Sequence, residues 1–221
     1  GYYAVSGTNL SASISGVQSS ALDYLTGLTV NQGPNTIVLT TAMATAGRDT
    51  IRVSADGTYA ISSNYINASG RGTIYVLINT SNTWSQQTTL IPTEYVSGTA
   101  FLGQNGIGLS ADATVAAFGS PQIASGSGTW IYTRSGTTWT QRTSTLIGTG
   151  GSRKGFSVAL SKNGRTFVSG CTGGSSGVQV WEGEGASWTQ LGYYQGSGSV
   201  GGSIEMGYAV DISADAQTIA F

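Results

Sequence analysis

The 221-residue sequence has no histidine, one cysteine, three prolines and two lysines. Each shortage removes a class of chemistry. Without histidine there is no Ser–His–Asp or Cys–His relay, and no imidazole to hold a metal. A lone Cys171 cannot close an internal disulfide, so packing and ladder hydrogen bonds must hold the chain. With no imidazole to activate it, that thiol reads as a small core or loop residue. Charged residues make up 9% of the chain, against about 25% in an average soluble domain. The net charge is −1 and Arg153-Lys154 is the sole basic pair, so no nucleic-acid partner is expected. No apolar run approaches the ~20 residues of a membrane-spanning helix, and no transmembrane segment is expected.

What is present points to β-structure. Glycine, at 34 residues, is roughly twice its usual share of about 7%, and Ser and Thr are abundant. An apolar content of 39% and a mean hydropathy near zero indicate a globular chain. Its surface must be solvated by hydroxyls and backbone, as in extracellular β-proteins and fibres. Helix formers are scarce over long stretches. From Gly103 to Arg142 the pattern is four short strands separated by turns: Ile107–Ser110, Val115–Phe118, Thr129–Thr133 and Thr138–Arg142.

The same pattern is written on both sides. Ser54, Ser110, Ser161 and Ser213 recur at spacings of 56, 51 and 52, and Trp84, Trp139 and Trp188 at 55 and 49. A period near 50 with four strands per unit predicts an all-β array of propeller-type blades. The units fall at 47–102, 103–154, 155–206 and 207–221, three and a half in all, after an N-terminal Ser/Gly/Thr-rich segment, 1–46, that is either extended or lends a strand to the array. A closed ring usually has six or seven blades, so the chain is expected to be a partial propeller, part of a larger chain or of an oligomer. An open last unit would leave a sheet edge free to pair with another chain. In composition, the N-terminal segment is similar to viral fibre and capsid-decoration proteins.

Each unit opens with a Ser-x-Asp/Asn turn between its first two strands. Asp56, Asp112, Asn163 and Asp215 are placed to cap the following backbone N–H groups. Gly57 and Gly164 can supply a positive φ there, which Ala113 and Ala216 cannot do cheaply. The second strands are small and apolar, and the loops after them vary most, which is where surface function usually sits. Fourth strands carry Trp84-Ser85-Gln86, Trp139-Thr140-Gln141 and Trp188-Thr189-Gln190.

The stretch 155–164, the small-residue second strands and the run 130–141 resemble the FG-GAP-like repeats of integrin-type β-propellers. The resemblance covers about 47–221 and implies blades of four antiparallel strands serving as an interaction module. Two features depart from that family. The name-giving Gly-Ala-Pro survives only as Gly119-Ser120-Pro121, and the calcium loop, with acids spaced two apart, is absent. Calcium needs six to eight oxygens, and each turn here offers a single acid or Asn163, so no metal and no cofactor is expected.

Catalysis has few candidates. Asp49 and Glu94 are isolated, and Glu182 and Glu184 sit in a short turn instead of facing across a cleft, as glycoside hydrolysis requires. The Ser-Ala-Asp-Gly turn matches the sialidase Asp-box only in part, because Asp56 and Gly57 are adjacent. A non-catalytic module is the expectation, extracellular or on a cell or virion surface, binding another protein or a glycan through variable loops. The alternatives are a structural subunit of a virion shell, fibre or filament, and a lectin. For the lectin, Trp84, Trp139 and Trp188 are candidate glycan-stacking rings; against it, each indole would be mostly buried between units. Asn9, Asn67 and Asn79 lie in sequons and are candidate N-glycosylation sites.

Overall fold

A computed structural model of the protein describes residues 50–65, 72–94, 101–121, 127–173, 175–197 and 206–221. The segment 1–46, Asp49 and the sequons at Asn9 and Asn67 lie outside these residues. The described chain is all β. One antiparallel sheet is formed by β1 (Ile51–Val53), β2 (Tyr59–Asn64), β3 (Thr73–Thr80) and β4 (Thr83–Leu90), in that order. The second has β5 (Ile107–Leu109), β6 (Val115–Ser120), β7 (Gly128–Ser135) and β8 (Thr138–Gln141). The third has β9 (Lys154–Leu160), β10 (Thr166–Cys171), β11 (Gly177–Glu184) and β12 (Ser187–Tyr194). β13 (Asp211–Ile212) and β14 (Ile219–Ala220) begin a further sheet.

The turn that opens each sheet is one device used four times. The anchor serine hydroxyl donates to the Asp or Asn side-chain oxygen two residues on, at 2.6 Å from Ser54, 2.7 Å from Ser110, 2.8 Å from Ser161 and 2.6 Å from Ser213. That oxygen accepts the backbone N–H two residues further, from Thr58, Thr114, Arg165 and Gln217. The serine oxygen in turn accepts the N–H of the residue five on, at 2.9–3.0 Å. All four turns pass through the left-handed region, Gly57 and Gly164 at φ 70° and 72°, Ala113 and Ala216 at 54° and 62°. The alanines therefore adopt the conformation that local propensity disfavours for them. The surrounding hydrogen bonds enforce it despite a cost of about 1–2 kcal/mol per residue.

Side chains alternate across each strand, and the second strand of each four-stranded sheet is buried on both faces. Ile61 and Val76 of the first sheet pack with Ala116, Phe118, Trp130 and Tyr132 of the second. The second sheet's other face, Ala117 and Ile131, meets Val158, Phe167 and Trp181 of the third. Ala159, Val168 and Val180 on the far face of the third meet Ile212. The first strands touch in sequence, β1 with β5, β5 with β9 and β9 with β13. The opening turns are also stitched sheet to sheet: Ala55 N–H to Ala111 O at 2.7 Å, Ala111 N–H to Lys162 O at 2.9 Å, Lys162 N–H to Ala214 O at 3.2 Å. Face-to-face sheets with their first strands gathered on one side are the packing of propeller blades.

Candidate functional site

The repeated Trp-x-Gln motifs lie on the outer strands, where one blade meets the previous one. Gln141 and Gln190 act as clasps. The Gln141 Oε1 accepts the Thr93 N–H at 2.9 Å, and its Nε2 donates to Glu94 Oε2 and to Thr143 O, each at 2.8 Å. One blade on, the Gln190 Oε1 accepts the Thr149 N–H at 2.7 Å, and its Nε2 donates to Thr149 O at 3.0 Å. Each glutamine thus holds the strap of chain leaving the preceding blade. The straps share a pattern, Leu90-Ile91-Pro92-Thr93 and Leu146-Ile147-Gly148-Thr149. That Leu-Ile-x-Thr pairing is the signal by which the clasps could have been found. In the first blade, Gln86 is exposed.

The three candidate tryptophans, expected to be mostly buried, are all of intermediate exposure. Trp188 is engaged by its own blade. Its ring lies 5.2 Å from that of Phe167, which stacks in turn on Trp181 at 5.8 Å and 7°. The Trp188 indole N–H donates to Gly185 O at 3.1 Å. Trp139 packs beside the core between the first two blades, and its buried Nε1 finds no acceptor among the described residues. Where the third blade has Phe167 facing Trp181, the second has Ala116 facing Tyr132. The ring that supports Trp188 has no counterpart beneath Trp139.

At that place the surface opens into a groove of about 440 Å³ between β4 and β8. One wall is the end of β4, including Gln87, Thr88 and Thr89, and the other includes Thr138, Trp139 and Tyr132. Gln87 is the extra residue of a β-bulge, since Val76 pairs with Thr88 while Leu77 pairs with Gln86. Bulges re-aim side chains, and the buried Oε1 of Gln87 has no partner among the described residues. Tyr132 O–H donates to the clasp oxygen of Gln141 at 3.1 Å. Burial, with Glu94 beside it, raises the Tyr132 phenol far above its ordinary value.

The remaining candidates are engaged elsewhere. Asp56, Asp112 and Asp215 are held below the ordinary aspartate value. At Asp56 and Asp215 the leading cause is the serine hydrogen bond. At Asp112 burial is the largest single effect and acts upward, but the bonds from Ser110 and Thr114 outweigh it. Glu184 pairs with Arg165 at 3.0 Å on the surface. Cys171 is buried, which pushes its thiol up to about 12. The Asn79 Nδ2, the atom a glycan would need, donates to Gly57 O at 3.2 Å. No helix among the described residues is long and apolar enough to cross a membrane.

No protein-family model matches the chain. No curated protein matches it in sequence. Among solved structures, a functionally unknown protein from Desulfotomaculum acetoxidans DSM 771 is similar with a TM-score of 0.52 at 14% identity, over 76% of this chain and 46% of that one. Weaker overlaps, too slight to argue from, are with TolB from Acinetobacter baumannii and a fucose lectin from Kordia zhangzhouensis in complex with methyl-fucoside. The first has a TM-score of 0.44 at 17% identity over 78% of this chain and 37% of that one. The second has a TM-score of 0.39 at 15% identity over 66% and 99%. The chain spans less than half the length of the first two proteins named. Its fold is all-β, built of four-stranded antiparallel propeller-type blades.

Proposed function

We propose that the protein is a non-catalytic interaction module, rigid blades that hold a recognition surface for another protein or a glycan. The observation that carries this reading is the groove between β4 and β8, lined by the half-buried Trp139 and by Gln87, whose buried Nε1 and Oε1 have no partner among the described residues. Several of the reactive groups among the described residues are committed to structure. The turn carboxylates are held by serine and backbone N–H groups, and the Cys171 thiol is buried and kept neutral. The units are read as FG-GAP-like repeats without the calcium loop. Their weakly charged, hydroxyl-rich sequence suits an extracellular or surface-exposed setting.

A paired assay on the full chain tests this reading: binding to arrayed extracellular proteins and glycans, and turnover of a panel of esters, lactones and glycosides. Saturable binding without turnover is expected. Turnover abolished by a single substitution would overturn the reading.

A further inference from the structure

We propose that the groove between β4 and β8 is a site for a neutral carbohydrate, with the Trp139 indole as the platform for one sugar ring. The inference rests on the binding-module reading and narrows its ligand. The volume, about 440 Å³, falls in the range of small-ligand sites, roughly 300–1,000 Å³. Among the described residues no charged side chain lines the groove, so the lining offers no charge to a phosphate, a carboxylate or a metal ion. It is also unlike a purely apolar pocket, because Thr88, Thr89 and Thr138 supply hydroxyls that both donate and accept. A sugar presents that combination, an apolar ring face edged by hydroxyls.

The groove also carries unmet hydrogen-bonding demand. Gln87 Oε1 and Trp139 Nε1 are an acceptor and a donor, both buried and without partners among the described residues. Leaving such groups unpaired is unfavourable, and a ligand carrying both hydroxyl donors and acceptors could satisfy the pair after a small side-chain turn. The next seam, built from the same motif, shows no such demand among the described residues. There Phe167 lies against Trp188, the Trp188 N–H is bonded to Gly185, and the strap, held by Gln179 at Ile147 and Thr149, passes over Trp181 at Gly148. Its approach is so close that a Cβ on Gly148 would lie 2.5 Å from the Trp181 ring. One sugar site is therefore assigned, at Trp139, and none at Trp188.

The test is a glycan array probed with the full chain, followed by titration of the strongest neutral glycan against four proteins: wild type, Trp139→Ala, Trp188→Ala and Thr89→Trp. Thr89 is exposed, so a bulky ring there can block the groove without disturbing the core. Circular dichroism confirms that each variant is folded. Should Trp139→Ala fail to fold, Thr89→Trp alone decides. We expect Trp139→Ala and Thr89→Trp each to weaken binding at least about tenfold, and folded Trp188→Ala to bind within about twofold of wild type. An array with no neutral glycan bound, or binding that survives Thr89→Trp, overturns the carbohydrate assignment. So does competition at the groove by a peptide but no sugar. In all of these results the module reading stands, since only turnover in the paired assay ends it.

Discussion

The two inter-blade seams are built from the same words and end differently. In both, a glutamine two residues after a tryptophan clasps the strap from the preceding blade, at Thr93 in one and Thr149 in the other. In the second seam β8 stops at Gln141, the chain rejoins the ladder where Leu146 pairs with Thr129, and the strap beyond it closes over Trp181. In the first, β4 continues through its bulge to Leu90 and stands beside the neighbouring blade as a wall. One seam is filled and the other keeps a groove. A repeated motif therefore fixes where blades join, while the residue beneath it, Phe167 or Ala116, sets whether the join is closed.

Removing the filler should have the largest effect. Phe167 is fully buried, and Phe167→Ala should cost about 3–5 kcal/mol, read as a shift in the urea midpoint. Because Trp188 would lose its support, its fluorescence should become more open to acrylamide. A loss below about 1 kcal/mol would mean that the second seam closes without this ring.

The clasps come next. Gln190→Ala removes the side-chain acceptor of the Thr149 N–H and one of the two side-chain donors to the Thr149 carbonyl, and should cost about 1–3 kcal/mol. Gln141→Ala should cost a similar amount. Gln86→Ala, at an exposed side chain, should stay within about 0.5 kcal/mol. Equal losses at all three positions would show that the clasp is not what holds the strap.

The opening turns separate the blades more finely. At Gly57 an added Cβ meets nothing within 4 Å, so Gly57→Ala should carry only the left-handed backbone cost of about 1–2 kcal/mol. At Gly164 the same atom would lie 2.8 Å from Val115 Cγ2 of the neighbouring blade, so Gly164→Ala should cost more. Thermal melting of the two variants side by side checks the order.

Much of this architecture was legible in the sequence. The Ser-to-Asp spacing placed the turns, and alternation placed the second and third strands within a residue or three of their observed ends. The positive φ of Ala113 and Ala216 was not legible, because single-residue propensity argues against it and the hydrogen bonds of the whole turn enforce it. The clasps are hidden for a related reason. Gln141 and Gln190 look like ordinary outward polar residues until the strap from another blade is laid beside them. The groove depends on a difference between copies, a phenylalanine in one and an alanine in another, and a search for what the copies share passes over it. The candidate tryptophans share a register and so look equivalent in sequence. Their surroundings are not.

The smallest expected effect is in pH dependence. Asp56, Asp112 and Asp215 have folded-state carboxyls held below their ordinary values. Their stabilisation is complete above the ordinary aspartate value and is lost as pH falls through the depressed folded one. The third blade, capped by Asn163, has no such dependence at its turn. Asp112→Asn should therefore leave stability near neutral pH almost unchanged and flatten the acid limb of the melting profile. An acid limb identical to wild type would show that the turn carboxylate does not contribute to it.

The most direct measurement of the difference between the seams is equilibrium unfolding of Trp139→Ala and Trp188→Ala side by side. The indoles hold the same motif position and are both half-buried, so motif position alone would give equal losses. With one seam filled and the other open, Trp188→Ala strips a ring from the Phe167–Trp181 stack and should cost about 2–4 kcal/mol. Trp139→Ala borders open space and should cost no more than about half as much. Equal losses, or a larger loss at Trp139, would contradict the claim that one seam is filled and the other open.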